Sequence, residues 1–200
     1  MRAFRSTMGR RLATVAAAIA MLTTSATITA SAAEPTSTTA SPPSIQAVMP
    51  ANTWWGVRGG RTTSEYNEYF PGYAFGCNGD QRHKGVDVGA PTGNRIHAWG
   101  TGRVVGRGFD PGGYNRWIQV YFPRIDMSMT LGHLLNGSEM TVGTTFQVGD
   151  LWGRIGTVED GLNHSHVHYR AGWGNHGDNP IGPCNDVDPY IVWDALDVPF

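Results

Sequence analysis

The stretch from Gly161 to Arg170, GLNHSHVHYR, places histidines at 164, 166 and 168, in a chain that holds seven in total. If residues 165–170 form a strand, as the β-branched and aromatic content of SHVHYR favours, side chains two apart share a face, with α-carbons roughly 6.6 Å apart. His166 and His168 can then bind one ion together, or one ring can take the ion while the other stands beside it. His164 joins them only if the strand starts early, and Gly161-Leu162-Asn163 reads as a turn that leaves it on a loop. The rest of such a site must come from elsewhere, and HKGVD at 83–87 offers His83 and Asp87. Gly85 with Val86 and Val88 speaks against a helix, so His83 is expected on a loop and Asp87 on a strand, Gly85 giving the backbone a tight path. Two nitrogens and one carboxylate oxygen around a borderline-soft metal leave a fourth tetrahedral position for water, the arrangement of a catalytic zinc site rather than a closed structural one. DMSMTLGHL at 126–134 adds another imidazole: Met127, Met129, Leu131 and His133 alternate onto one face of a strand, His133 ending the apolar row.

Positioning these groups falls to short strands. Glycine supplies 27 of the 200 residues and leaves no room for a long helix after Pro71. GVDVG (85–89), RIHAW (95–99), GRVVG (102–106), RWIQVYF (116–122) and SHVHYR (165–170) read as strands, with FDPGGYN (109–115) as a tight turn. TTFQV (144–148) and LWGRI (151–155) flank Gly149-Asp150, a bend or hairpin signal. Residues 171–189 read as an irregular tail, followed by a short helix or turn over 189–195. WWGVRGG at 54–60 reads as core plus turn rather than as a carbohydrate platform. The sum is an all-β, sandwich-like antiparallel domain with long loops and little helix.

Residues 1–33 have the form of a secretory signal peptide: Arg2, Arg5, Arg10 and Arg11, then an apolar run from Leu12 to Leu22, then Ala30-Ser31-Ala32. Residues 34–51 read as a flexible leader rich in Ala, Ser, Thr and Pro, and 52–200 as one domain. Removal of the signal leaves 11 basic against 16 acidic residues, and with no Lys/Arg cluster this gives no footprint for nucleic acid. No later segment is apolar enough to span a membrane. Cys77 and Cys184 are the two cysteines; outside the cytoplasm they are expected to form one disulfide across most of the domain, and neither has the neighbouring cysteine of a metal motif.

HKGVD (83–87), GHL (132–134) and HVH (166–168) follow one another as His-x-Gly-x-Asp, His-Leu and His-x-His. Together with the glycine-spaced VGTTFQVGDLWGRIG (142–156), they resemble the lysostaphin-like zinc endopeptidases, which cut peptide cross-links of bacterial peptidoglycan. The resemblance covers residues 70–170. It implies one Zn2+ per chain on His83, Asp87 and His168, with His166 and His133 as the two catalytic histidines that do not bind metal. His166 would accept the proton of water and His133 would stabilise the oxyanion and leaving amine, the reverse assignment remaining open. The tyrosine that the family carries two residues before His133 is Leu131 here. Some members hold a latent state through an asparagine upstream of the first histidine, and Asn78 is the candidate for that place. The implied function is a secreted, monomeric, extracellular endopeptidase acting on peptidoglycan stem or cross-bridge peptides; the alternative is a non-catalytic wall-binding or activating module of the same fold. Whether the bond cut is Gly-Gly or adjoins D-alanine is left to loops such as FDPGGYNR and the tail. His97 and His176 are expected to be structural or exposed, and Glu159 has no assigned role.

Overall fold

The computed structural model describes residues 49–157 and 165–197. The signal peptide, most of the leader, Glu159 and His164 lie outside the described residues. Within them the chain forms β1 (Thr53–Trp54), β2 (Val57–Arg58), β3 (Arg61–Ser64), β4 (Val86–Gly89), β5 (Arg95–His97), β6 (Gly102–Asp110), β7 (Asn115–Phe122), β8 (Met127–Gly132), β9 (Thr145–Phe146), β10 (Leu151–Arg154), β11 (His166–Trp173) and the helix α1 (Pro189–Ala195). A small sheet runs β1-β2-β5-β10 and a large one β3-β4-β11-β8-β7-β6-β9. Every strand pair is antiparallel, so the all-β, sandwich-like expectation holds.

Alternation along β11 organises the domain. Val167, Tyr169 and Ala171 are fully buried on one face, where they meet Val86 and Val88 of β4 and Met127, Met129 and Leu131 of β8 in a single apolar core. Tryptophans close that core: Trp55 stacks on Tyr169 at 5.5 Å between ring centroids, and the Tyr169 hydroxyl donates to the Trp55 carbonyl at 2.6 Å. WWGVRGG is therefore core plus turn, as its residue types suggest. The opposite face of β11 carries His166, His168 and Arg170.

That second face is not left to solvent. The tail folds back over it: the Ile181 N–H donates to Thr130 Oγ1 at 3.0 Å and the Tyr114 hydroxyl to the Ile181 carbonyl at 2.6 Å. The backbone of Gly177 and Asp178 lies so close to Gly106 that a Cβ there would fall 2.6 Å from the Asp178 Cα. A disulfide joins Cys77 to Cys184, 107 residues apart, and α1 starts on an N-cap in which Asp188 accepts from the Tyr190 N–H at 3.0 Å, with Pro189 in the first turn.

Three expectations change. TTFQV and LWGRI do not form a hairpin across Gly149-Asp150: β9 pairs with β6 in the large sheet and β10 with β5 in the small one, so the chain crosses between layers there. Ala171, Gly172 and Trp173 belong to β11 rather than to an irregular tail, because they pair in register with Met129, Ser128 and Met127. And β8 ends at Gly132, before His133, whose backbone turns into the left-handed region with φ 60°.

Candidate metal centre

Register brings the first three residues together. His168 on β11 is the cross-strand partner of Asp87 on β4 and of Gly132 on β8, and His83 reaches in from the loop before β4. His168 Nδ1 lies 2.8 Å from Asp87 Oδ1 and 3.1 Å from His83 Nε2; His83 Nε2 lies 3.3 Å from Asp87 Oδ1. All three residues are buried. Tetrahedral zinc with bonds of about 2.0–2.2 Å spaces its ligand atoms roughly 3.3–3.6 Å apart, so this triangle needs to open only slightly to take such an ion. A second observation agrees: His83 Nδ1–H donates to the Glu65 carbonyl at 3.0 Å, which leaves the Nε2 lone pair facing the cluster, the outer hydrogen bond usual for a metal-binding histidine.

Gly85 has a different purpose from the tight path expected of it. A Cβ at this position would fall 2.4 Å from the Tyr169 carbonyl oxygen and 2.5 Å from both Cε1 and Nε2 of His168. The motif needs glycine because the His168 ring occupies the space of a side chain.

His166 points to the same face two residues earlier, its Nε2 3.7 Å from Asp87 Oδ1. Strict alternation would leave His133 with Leu131 in the apolar core. The left-handed turn at His133 instead swings its ring to the other face, 4.7 Å from the His166 ring and 6.2 Å from that of His168 between centroids. The backbone holds it there from both sides, its N–H donating to the Tyr114 carbonyl at 2.7 Å and its carbonyl accepting from Gly156 at 2.8 Å.

The electrostatics follow from burial and proximity. Burial alone would raise the Asp87 carboxyl, but hydrogen bonds from His168 and His83 and the charges of His168 and His166 outweigh it and hold the group well below the usual carboxylate range. Burial pulls His83 down, and the Asp87 contact more than reverses this, so its pKa is raised. His168 is pushed down to about 3, chiefly by burial. His133 falls to about 4 through burial and then the charge of nearby His166, so its imidazole is neutral at pH 7.

The cluster thus brings together His83, Asp87, His133, His166 and His168. His97 and His176 stay apart, the first held by the Gly149 carbonyl at 2.9 Å and the second by the Trp173 carbonyl at 3.1 Å. Asn78 is exposed on the single 3-10 turn Cys77–Gly79. Leu131, in the place of the family's tyrosine, is fully buried in the core. Sequence reasoning missed Arg170, which is buried beneath the cluster, donating from Nε to the Lys84 carbonyl at 2.7 Å and from a terminal nitrogen to the Ile181 carbonyl at 3.3 Å. It thereby ties the residue after His83 to the tail. Phe70 and Tyr73 were also missed; their rings stand edge-on, each 6.2 Å from the His83 ring. The signal for Arg170 was available, since it shares the parity of His166 and His168.

Residues 81–182 match the model of peptidase family M23, which carries the likeness past Arg170 into the tail and leaves both cysteines outside. Among solved structures, the catalytic domain of the antimicrobial peptidase lysostaphin from Staphylococcus simulans is 18% identical, covering 68% of this chain and 93% of that one, with a TM-score of 0.55. LytU is 23% identical over 70% of this chain and 88% of its own, also at 0.55. The longer lysostaphin chain is 20% identical over 68% of this chain and 50% of its own, again at 0.55. Likeness at these identities establishes a shared fold. No curated protein matches significantly in sequence.

Proposed function

This chain belongs to peptidase family M23, a family of zinc metallopeptidases, and from that premise we propose that it is an exported endopeptidase hydrolysing the stem or cross-bridge peptides of bacterial peptidoglycan. The observation that carries the proposal is the ligand triangle of His83, Asp87 and His168, with edges of 2.8, 3.1 and 3.3 Å and two further imidazoles beside it. Zinc held by these three side chains supplies Lewis-acid polarisation of a peptide carbonyl and makes water acidic enough to attack it at neutral pH. The work of the chain itself is to hold that ion and to move protons. His166, whose Nε2 stands at the edge of the triangle, takes the proton of the attacking water. His133, neutral at pH 7 because burial and His166 depress it to about 4, is a poor base and a suitable N–H hydrogen-bond donor to the developing oxyanion, while the proton that His166 takes from the water passes on to the leaving amine. The pKa of His133 therefore favours this division of roles over the reverse.

Export is supported by the signal-like residues 1–33 and by the Cys77–Cys184 disulfide, a bond that persists in oxidising compartments. In this reading residues 34–51 are a leader, residues 52–200 are the peptidase domain, and the mature protein works outside the cell as a monomer. No helix among the described residues is long and apolar enough to cross a membrane. The test pairs zinc content with the release of new amino termini from purified cell walls. Wild type is expected to hold about one zinc per chain and to release termini; His166→Ala keeps the metal and releases none. A wild-type protein that holds zinc yet cleaves no wall of any cross-link type would be a non-catalytic wall-binding module instead.

A further inference from the structure

A cavity of about 400 Å³ opens beside His133, walled by Phe109, Asn115, Arg116, Leu134 and Asn136 among others. It runs on into a recess of about 280 Å³ that shares Phe109, Arg116 and Asn136 and adds Arg107 and Glu139. Two features of its wall have no purpose within the fold. Asn115 is 93% buried, with 7% of its surface exposed, yet its side-chain Oδ1 has no hydrogen-bond partner; an acceptor taken out of water and left unpaired is a cost that an incoming N–H would remove. The Arg116 guanidinium lies over the Phe109 ring at 5.0 Å, half-buried. No ion pair joins it to a carboxylate among the described residues. The outer recess holds Arg107 and Arg116 against the single carboxylate of Glu139, so among the described residues the lining is net positive, and Arg116 is the cation that also lines the cavity beside His133. Phe109 itself is 58% exposed, a large ring held at the mouth of a cleft.

We propose that this cavity seats the substrate residue next to the scissile bond and selects one that carries a free carboxylate, with Arg116 pairing the carboxylate, Asn115 Oδ1 accepting a main-chain N–H, and Phe109 covering the chain. The inference rests on the peptidase reading and adds the substrate class to it: an anionic stem-type peptide is preferred to a run of glycines, which offers the guanidinium no side-chain partner. A planar guanidinium already held against a ring is preorganised for bidentate carboxylate binding. The geometry follows from the hairpin of β6 and β7, where Phe109 and Arg116 are cross-strand partners and Asn115 adopts the left-handed conformation, φ 53°, that asparagine tolerates.

The probe is a stem-type tetrapeptide with its carboxylates free, set against the same peptide with those carboxylates amidated. Binding of each to zinc-loaded His166→Ala protein is measured by calorimetry, and kcat/KM of each with the His166-intact protein by amine release. The free form is expected to bind, and to be cleaved, roughly tenfold better or more. Arg116→Gln should bring the ratio close to one, Arg116→Glu should reverse it, and Arg107→Gln should keep it. Equal or undetectable binding of the two peptides overturns the inference, as does an unchanged ratio in Arg116→Gln or a ratio lost only in Arg107→Gln. The two readings fail separately. Equal cleavage of both peptides removes the subsite and leaves the peptidase, whereas a carboxylate preference in binding with no cleavage by wild type removes the peptidase and leaves the subsite.

Discussion

Gly85→Ala isolates the steric purpose of the glycine in HKGVD. Gly85 does not use a backbone conformation closed to other residues, so alanine brings one methyl group and no torsional strain. That methyl would sit 2.4 Å from the Tyr169 carbonyl oxygen and 2.5 Å from two atoms of the His168 ring, whereas non-bonded heavy atoms settle at about 3.5–4.0 Å. Something must yield by about 1 Å, and the Tyr169 carbonyl is fixed within a central strand, so the imidazole moves. Overpacking of this kind costs about 1–3 kcal/mol. The larger effect is on the ion, because ligand distances tolerate about 0.2 Å: zinc affinity should fall at least tenfold. Gly153→Ala is the control, since a Cβ there would have no neighbour closer than 3.6 Å. The assays are urea unfolding of the metal-free proteins and zinc titration against a chromophoric chelator, with circular dichroism verifying the folded fraction. If Gly85→Ala binds zinc within about threefold of wild type, below the loss expected from a displaced ligand, the account of Gly85 as the space for His168 is wrong.

Two further predictions concern the proton balance of the centre and the cross-link. His83, whose pKa is raised by the Asp87 contact, is the ligand that protonates first as pH falls and must lose that proton to bind metal, whereas His168 at about 3 and Asp87, well below the usual range, stay deprotonated. Zinc affinity should therefore fall about tenfold per pH unit as pH drops below the raised His83 value, with about one proton released per ion; calorimetry in buffers of different ionisation enthalpy counts the protons, and a count near two contradicts the assignment. Replacing both cysteines by serine opens a loop of 107 residues and should cost about 2–5 kcal/mol in guanidinium unfolding; a loss under about 1 kcal/mol would mean that the disulfide constrains the unfolded chain far less than its span suggests.

What could be read in advance was whatever depends on residue type and period. Alternation assigns His166 and His168 to one face and Met127, Met129 and Leu131 to another, and the element at 189–195, read as a short helix or turn, is the helix α1. What could not be read depends on contacts between distant segments. TTFQV and LWGRI look like two arms of a hairpin, because nothing in their composition says that β9 and β10 join different sheets. The period that places the apolar row correctly misplaces His133, since one left-handed residue reverses the face and histidine carries no sign of that conformation. Asn115 makes the same turn at the end of FDPGGYN, which reads as a tight turn without showing which of its residues goes left-handed.

The dependence of the centre on the core is closer than the motifs suggest. One strand, β11, presents Val167, Tyr169 and Ala171 to the apolar layer and His166, His168 and Arg170 to the site. A slip of one residue in its pairing would bury the imidazoles among tryptophans and move the valine and tyrosine out of the apolar core to the polar face under the tail, so the penalty for that slip also fixes where the ligands stand. The same pairing sets His168 between Asp87 and Gly132, and at Gly132 a Cβ would fall 2.8 Å from the Tyr114 ring. Tyr114 in turn accepts the His133 N–H on its carbonyl and binds the tail through its hydroxyl. The apolar packing that stabilises the fold thus also sets the distances among the five polar side chains, and metal-binding geometry needs no separate framework of its own.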